Sequence, residues 1–489
     1  MGYIHISHLS FHYEGHADTI FEDVTLNLDS RWRLGLVGRN GRGKTTLLKL
    51  ILGELDANGT IQKDVTMRYF PYPDTDMQKD TSEIIEEMLG ELDWRIYKEL
   101  NLLEVDAKVL FQPFATLSPG ERTKVLLACL FINDDDFVLI DEPTNHLDEE
   151  GRRLVSRYLK SKQGFILVSH DRNFLDECID HVLSINKKSI ALVQGNMSMY
   201  MENRKRLEHD EQMRNIHLKK DIKRLKKASA RTSNWSYQVE KSKIGAYDKG
   251  FVGHKAAKMM QRSKNIERRY ENYIEEKQSL LQDLEEIEDL KLHPLPVASR
   301  KVISLDHVSF SYDNKKILED FSLVVEKGTK LCLKGRNGSG KSTILKLMSG
   351  ELQVQAGKIT SQHDLKIAYA FQDTSNLSGT FQSYLDSQEV DGVLCRAILH
   401  KLGFHKQLFE KRLEDLSQEQ KKKVVLASTL SKSCHLYLFD EPMNYIDLDS
   451  RMQIEALLQK TEMTCVFVEH DSAFCHEIAT QVCELRGGF

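Results

Sequence analysis

A set of four short motifs occurs twice in this chain, in the same order. The first copy carries GRNGRGKT, LSPGE, DEP and a histidine, at residues 38–45, 117–121, 141–143 and 170. The second carries GRNGSGKS, LSQEQ, DEP and a histidine, at residues 335–342, 416–420, 440–442 and 470. Equivalent lysines, serines and histidines are 297, 299 and 300 residues apart. Chance cannot give this order twice, so the chain contains an internal duplication, and each copy of roughly 190 residues is long enough for its own apolar core.

Each copy opens with a phosphate-binding pattern, GxxxxGK[ST]. Its glycines let backbone N–H groups surround the phosphates, its lysine reaches the β- and γ-phosphates, and its hydroxyl coordinates Mg²⁺. In both copies the pattern follows a short apolar run and precedes helix-forming sequence, so we predict ATP and Mg²⁺ as cofactors. A tyrosine upstream of each loop is placed to stack on adenine. The predicted nucleotide-binding residues are Tyr13, Gly38, Asn40, Gly41, Gly43, Lys44, Thr45 and Thr46, and Tyr312, Gly335, Asn337, Gly338, Gly340, Lys341, Ser342 and Thr343.

An acidic pair and a histidine follow each phosphate loop, at the ends of two further apolar runs. Asp141 and Asp440 are suited to holding Mg²⁺ together with the loop hydroxyls of Thr45 and Ser342. The next residue in each copy is suited to orienting or deprotonating the attacking water, and the histidine to hydrogen-bonding the γ-phosphate. The predicted catalytic residues are Glu142, Glu441, His170 and His470.

The order of apolar runs and helix-forming segments predicts an α/β fold in each copy. Strands that alternate with helices form a mostly parallel sheet covered on both faces. Alternating stretches at residues 4–13 and 302–312 predict an added antiparallel layer. No apolar run approaches the 18 or so residues that span a bilayer, and the N-terminus lacks the features of a secretion signal. Eight cysteines without a CxxC pair indicate free thiols in a reducing cytoplasm.

The segment between the copies differs from both of them in charge. Residues 203–269 hold 20 Lys/Arg and 7 Asp/Glu, whereas the rest of the chain has a net charge of −18. Apolar residues spaced by four and three from 266 to 287, with Leu218, Ile222 and Leu225 to face them, predict an antiparallel helical hairpin. We predict an ATP-binding domain at 1–198, the hairpin linker at 199–298 with its tip at about 228–253, and a second domain at 299–489.

The hairpin tip combines aromatic and basic residues, a composition typical of proteins that stack on unpaired bases and neutralise phosphates. The residues predicted to contact RNA are Arg231, Trp235, Tyr237, Lys241, Lys243, Tyr247, Lys249, Phe251, Lys255 and Lys258. Two alternatives are a transporter motor and a DNA-associated ATPase. The first has no need of a basic hairpin between its domains. The second carries zinc-binding cysteines or a coiled coil inside one split domain, and neither pattern is present.

The four repeated motifs resemble those of the ATP-binding cassette family over both halves. In that family the LSGGQ-like signature of one cassette closes on the nucleotide of the other. The resemblance implies a first site with Lys44 and Ser417, and a second with Lys341, Ser118 and Gly120. It also implies that one chain forms both sites and acts as a monomer.

Several positions depart from the family pattern. The signature LSPGE keeps one glycine and LSQEQ keeps none, and Glu419 in the latter adds a negative charge near phosphate. The family's glutamine before the helical subdomain matches Gln372, a predicted nucleotide and metal ligand, but Tyr72 stands there in the first copy. Tyr445 replaces the histidine found at His146. We therefore predict two unequal sites, with the first closing or hydrolysing less well.

The sequences DEPTNHLD at 141–148 and SHDRNFL at 169–175, with the inter-cassette helices, resemble the ABC-F translation factors over essentially the whole chain. The tip sequence at 249–263 resembles the antibiotic-resistance, Lsa-type branch. That resemblance implies a cytoplasmic, ribosome-associated ATPase that protects 70S ribosomes from lincosamides, streptogramin A and pleuromutilins. In its ATP-bound form it would occupy the exit-tRNA site beside the exit-site proteins. Its linker would displace the peptidyl-site tRNA and remodel 23S rRNA near the peptidyl-transferase centre. A housekeeping factor that relieves stalled ribosomes is the alternative.

Overall fold

The structure is a computed structural model, and it describes most of both copies and part of the segment between them. The described residues are 2–13, 19–72, 77–90, 93–133, 135–145, 147–186, 189–241, 261, 265, 268–269, 291–313, 315–375 and 377–485. The chain divides into two compact units. One comprises Met1–Ser198 with Asp289–Phe489, and the other comprises Met199–Glu288.

The strands of the first copy form two sheets. In chain order they are β1 (Tyr3–Phe11), β2 (Phe21–Asp29), β3 (Arg33–Val37), β4 (Asn58–Lys63), β5 (Met67–Phe70), β6 (Phe137–Asp141), β7 (Phe165–Val168), β8 (His181–Ile185) and β9 (Ile190–Gln194). An antiparallel sheet has the order β2-β1-β4, which is the antiparallel layer expected from the alternating N-terminal sequence. The larger sheet has the order β5-β6-β7-β3-β8-β9 and is parallel except for the pair β8 and β9.

The helices of the first copy connect these strands. They are α1 (Lys44–Leu52), α2 (Thr81–Leu89), α3 (Arg95–Leu102), α4 (Pro119–Leu130), α5 (Glu149–Lys160) and α6 (Arg172–Cys178), with 3₁₀ turns at Ala107–Phe111 and Phe114–Thr116. Helix α1 begins directly after the phosphate loop and ends at Gly53, whose φ of 90° suits glycine.

The second copy repeats this arrangement. Its strands are β10 (Lys301–Tyr312), β11 (Lys315–Glu326), β12 (Lys330–Lys334), β13 (Ala356–Ser361), β14 (Ile367–Ala370), β15 (Leu436–Asp440), β16 (Cys465–Val468) and β17 (Gln481–Glu484). They form an antiparallel sheet β11-β10-β13 and a parallel sheet β14-β15-β16-β12-β17. Its helices are α8 (Lys341–Ser349), α9 (Phe381–Ser387), α10 (Gly392–Lys401), α11 (Gln418–Ser431), α12 (Leu448–Lys460) and α13 (Ser472–Ile478), with 3₁₀ turns at Lys406–Glu410 and Leu413–Asp415.

The central strands of both parallel sheets are apolar and buried along their length. Strands β7 and β16 are buried at every residue, as expected for strands covered on both faces. The carboxyl ends of β3, β6 and β7 lie at one edge, because these strands are parallel neighbours. That edge carries the phosphate loop, the acidic pair and the histidine, so the fold brings residues from 38 to 170 to one place.

The segment after the first copy forms the long helix α7 (Met197–Lys241), with 45 residues. At 1.5 Å per residue its length is about 70 Å. The predicted hairpin tip begins at about residue 228, but α7 continues as a regular helix to Lys241. The segment from 228 to 241 contains neither glycine nor proline, so nothing in it interrupts the helical hydrogen bonds.

One face of helix α7 is less exposed to solvent than the rest of the helix. Ile222 is buried, and Leu218 and Leu225 are half-buried, which is the face predicted to meet a second helix. The predicted second helix at 266–287 lies largely outside the described residues. Of the predicted tip residues, Arg231, Trp235, Tyr237 and Lys241 belong to α7 without described side chains, and Lys243, Tyr247, Lys249, Phe251, Lys255 and Lys258 lie outside the described residues.

Candidate active sites

The two phosphate loops have nearly the same conformation. Gly43 and Gly340 precede α1 and α8 with φ of 91° and 92°. A Cβ on Gly43 would lie 2.5 Å from the Ile20 side chain, so the position requires glycine. The Lys44 ammonium donates to the Gly38 carbonyl oxygen at 2.8 Å, inside the curve of its own loop.

Lys341 occupies the equivalent place in the second copy. Its ammonium donates to the carbonyl oxygens of Gly335 at 2.8 Å and Arg336 at 2.9 Å. Burial lowers the pKa of both loop lysines, and nearby carboxylates oppose that effect. Both lysines therefore sit where a polyphosphate would supply the negative charge that balances them.

In each copy, the hydroxyl group of the phosphate loop forms a hydrogen bond with the aspartate predicted to hold the metal. Thr45 Oγ1 donates to Asp141 Oδ2 at 2.8 Å, and Ser342 Oγ donates to Asp440 Oδ1 at 3.2 Å. Burial raises the pKa of both aspartates above the ordinary value. A hydroxyl and a carboxylate are the hard oxygen ligands that Mg²⁺ prefers, and a cation would offset the burial of the carboxylate. Both pairs therefore fit a bound Mg²⁺.

The predicted catalytic glutamate and histidine also come together in each copy. His170 Nε2 lies 3.2 Å from Glu142 Oε1, and His470 Nε2 lies 3.5 Å from Glu441 Oε1. Burial and the neighbouring Asp141 raise the pKa of Glu142 to about 8. Burial and the cation of Lys44 hold the pKa of His170 well below its usual value.

The second glutamate has a different environment. Burial acts to raise the pKa of Glu441, but the His470 ring and nearby lysines outweigh it and leave the pKa below the ordinary value. The Gln372 and Asn444 side-chain amides both donate to Glu441 Oε2 at 2.6 Å. Since Gln372 donates through its nitrogen, its carbonyl oxygen is the atom left for the predicted metal role. The pKa of the predicted catalytic carboxylate is therefore raised in the first site and lowered in the second.

The cavity at the second phosphate loop is lined by both copies. It has a volume of about 760 Å³ and includes Lys341, Ser342 and Gln372 from the second copy. Ser118 and Gly120, predicted to face this loop from the first copy, also line it. Tyr312, predicted to stack on adenine, also lines it. The other predicted residues in the lining are Asn337, Gly338, Gly340, Thr343, Glu441 and His470.

The cavity at the first phosphate loop is smaller, about 400 Å³, and again combines both copies. The first copy supplies the predicted residues Tyr13, Asn40, Gly41, Gly43, Lys44, Thr45, Thr46, Asp141, Glu142 and His170. The second copy contributes Glu419 and Tyr445. Tyr445, which stands where the first copy has a histidine, adopts a φ of 64°, unusual for an aromatic residue.

Glu419 is the residue of the second signature that lines the first cavity. Ser417 is absent from the lining of the first cavity, where Glu419 is present. The Ser417 hydroxyl accepts the Gln420 N–H at 3.2 Å as the N-cap of α11, just as Ser118 accepts the Glu121 N–H at 3.3 Å at the start of α4. The carboxylate of Glu419 is paired at 2.8 Å with Lys423, which also pairs with Asp447 at 2.8 Å. The expected negative charge near phosphate is therefore compensated by a buried lysine.

Ion pairs and hydrogen bonds join the copies around these cavities. Arg336 of the second phosphate loop lies 2.8 Å from Glu150, and Lys334 lies 3.4 Å from Glu149. Arg39 of the first loop lies 3.5 Å from Asp449, the counterpart of Glu150. Asn173 Nδ2 donates to Ser472 Oγ at 2.7 Å, and Arg172 pairs with Glu455. Sequence reasoning missed all of these contacts, because they join residues that are far apart along the chain.

Sequence reasoning also missed a tyrosine in each site. The hydroxyls of Tyr69 and Tyr369 donate to Asp141 at 3.5 Å and Asp440 at 3.4 Å. The pair is spaced by 300 residues, the offset already found for the histidines. A position-by-position comparison of the two copies would therefore have found these tyrosines.

The family model described as "ABC transporter" matches the chain twice, at residues 21–145 and 318–444. Similar curated proteins include the ATP-binding protein Uup of Buchnera aphidicola, 27% identical, with 96% of this chain and 78% of the relative covered. The energy-dependent translational throttle protein EttA of Haemophilus influenzae is 25% identical, with 95% and 88% covered. The ribosome protection protein VmlR of Bacillus subtilis is 27% identical, with 94% and 83% covered.

A solved structure supports the same fold. The archaeal ribosome recycling factor aABCE1, in complex with the ribosomal stalk protein aP1, has a TM-score of 0.66 at 19% identity. The match covers 98% of this chain and 88% of that chain.

Proposed function

The chain belongs to the ABC transporter family, with its ATP-binding domain present twice, and from that premise we propose a ribosome-protecting ATPase of the ABC-F type. Its reaction is the hydrolysis of ATP to ADP and phosphate. In the proposed function, ATP binding at the two composite cavities closes the cassettes, and the closed form binds the ribosome. Hydrolysis then reopens the cassettes and releases the protein.

The residues of each site have distinct roles in this reaction. Lys44 and Lys341 bind the phosphates, and the two hydroxyl–aspartate pairs would hold Mg²⁺, which would supply positive charge to the phosphates when bound. Glu142 and Glu441 orient the attacking water and accept its proton, and each adjacent histidine binds the γ-phosphate. The observation that carries the proposal is that both cavities are lined by both cassettes, because ATP is then a ligand of the closed form.

Helix α7 supports an RNA partner. Its exposed basic side chains include Lys205, Arg206, Arg214, Lys219, Lys220, Lys223, Arg224 and Lys227. A dense row of cations attracts phosphates in a salt-dependent way. No helix in the described part of the chain is long and apolar enough to cross a membrane. The resemblance of the chain to a ribosome protection protein over 94% of its length agrees with this partner.

The proposed target is the 70S ribosome in the cytoplasm, bound at the exit-tRNA site. The hairpin at 199–298 would approach the peptidyl-transferase centre and displace the peptidyl-site tRNA. By remodelling 23S rRNA there, it would lower the affinity of lincosamides, streptogramin A and pleuromutilins. A housekeeping translation factor is the second candidate, favoured by the similar identity to EttA.

Ribosome co-sedimentation tests the coupling of ATP to binding. The Glu142→Gln, Glu441→Gln double variant should co-sediment with 70S ribosomes in the presence of ATP and far less without nucleotide. Equal binding in both conditions would refute the coupling.

The contribution of α7 is tested by its salt dependence. The variant Lys220→Gln, Lys223→Gln should bind ribosomes more weakly, with the slope of log affinity against log salt reduced by about one for each lost phosphate contact. A matched control neutralises two exposed lysines of the cassettes, Lys108→Gln and Lys315→Gln. An equal loss in the control would show that net charge, not α7, governs binding.

Drug susceptibility separates the two candidates. Expression in a sensitive host that lacks related genes should raise the inhibitory concentrations of the three drug classes. Deleting residues 230–252 should abolish that protection while basal ATP hydrolysis persists. Unchanged inhibitory concentrations for the intact chain would favour the housekeeping factor, and protection without residues 230–252 would exclude direct action of the tip.

A further inference from the structure

The loop after β14 is held by the signature helix of its own cassette. Thr374, only 3% exposed, donates through its hydroxyl to Gln418 Oε1 at 3.0 Å. Lys422, one turn further along α11, donates to the Phe371 carbonyl oxygen at 3.4 Å. Two side chains of α11, Gln418 and Lys422, therefore form hydrogen bonds with the two ends of the segment 371–374.

The same segment contacts the catalytic carboxylate of the second site. Gln372, between the two gripped residues, donates to Glu441 Oε2 at 2.6 Å. A short path of side chains and backbone thus runs from Gln418 through Thr374 and Gln372 to Glu441. Any shift of α11 changes the position of the amide that supports Glu441.

The other end of this path lies at the first site. Gln418 is adjacent to Glu419, which lines the first cavity together with Lys44 and His170. The signature of the second cassette therefore borders the first cavity. Its helix also holds the segment 371–374, which contacts Glu441 through Gln372. Helix α11 therefore borders the first cavity at Glu419 and contacts the segment next to Glu441 through Gln418 and Lys422.

Three positions of this path carry other residues in the sequence of the first cassette. Pro119 stands where the second cassette has Gln418, Thr123 where it has Lys422, and Tyr72 where it has Gln372. Proline has no side-chain hydrogen-bonding group, and a tyrosine cannot supply the amide.

We propose that Gln418 is a positioning residue for the second site, acting through Thr374 and Gln372, so that nucleotide at the first site controls hydrolysis at the second. The shared element is the segment 371–374, whose arrangement both sites bias. The proposal rests on ATP hydrolysis and not on ribosome binding, so its failure would leave the ribosome proposal untouched.

The test uses the full-length protein with Glu142→Gln, in which turnover comes from the second site. In this background Gln418→Leu should lower kcat about 2- to 10-fold, the effect of one lost hydrogen bond, with little change in KM. Gln418→Glu, which keeps an acceptor for Thr374, should retain the kcat that Gln418→Leu loses.

A double-variant cycle establishes the path. Thr374→Val should give the same loss as Gln418→Leu, and combining them should add nothing further. Additive losses, or an unchanged kcat in Gln418→Leu, would overturn the proposal. As a control for general damage, Thr374→Val in a Glu441→Gln background, where turnover comes from the first site, should change kcat less than twofold. A loss as large as at the second site would also overturn it.

Discussion

The two catalytic glutamates should titrate in different pH ranges. The perturbation is the single substitution Glu441→Gln or Glu142→Gln, which leaves hydrolysis at the first or the second site respectively. With its pKa raised to about 8 by burial and by Asp141, Glu142 is about one-tenth ionised at pH 7 and about nine-tenths ionised at pH 9. Only the ionised form accepts a proton from water. Hydrolysis at the first site should therefore rise about tenfold between these pH values.

The second site should respond differently, because the pKa of Glu441 is lowered and its carboxylate is ionised throughout pH 6–9. Its activity should change less than about twofold over that range. The assay is steady-state kcat/KM for MgATP, which reports groups of the free enzyme, with the Glu142→Gln, Glu441→Gln double variant as background. Parallel pH profiles in the two single variants would refute the assignment, and equal losses of turnover at pH 7 would refute unequal sites.

Three further substitutions test the local structure. Gly340→Ala should weaken nucleotide binding at the second site at least tenfold in a fluorescent-nucleotide titration, because its Cβ would lie 2.8 Å from a neighbouring side-chain carbon. In Gly338→Ala the added Cβ has no atom within 4 Å. This substitution should therefore lower the free energy of unfolding only by the strain of positive φ, about 1 kcal/mol. Ser118→Ala removes a capping box and should lower the free energy of unfolding in denaturant by about 1 kcal/mol. Arg451→Met leaves the fully buried Asp471 without its ion pair at 3.1 Å and should cost about 3–5 kcal/mol by the same measurement.

The sequence predicted the parts of each site that lie close together along the chain. The phosphate loop, the acidic pair and the histidine each follow a strand, and parallel strands bring their carboxyl ends to one edge. The resemblance to cassette proteins added the prediction that Lys341 and Ser118, from different copies, belong to the same site. The α/β class of both copies is confirmed.

What the sequence did not predict depends on distant residues. The raised pKa of Glu142 follows from burial, which a motif does not encode. Glu419 is neutralised by Lys423, whose position depends on the packing of α11. The extension of α7 to Lys241 enters the predicted tip, where serine, threonine and asparagine are weaker helix formers but no glycine or proline interrupts the helix.

Housing both cassettes in one polypeptide removes a constraint that identical subunits share. In a symmetric homodimer every substitution appears at both sites at once. Here Tyr445 borders one cavity only, and Gln372 borders only the other. Each site can therefore accumulate substitutions independently, so one gene can encode two ATP sites that evolve separately.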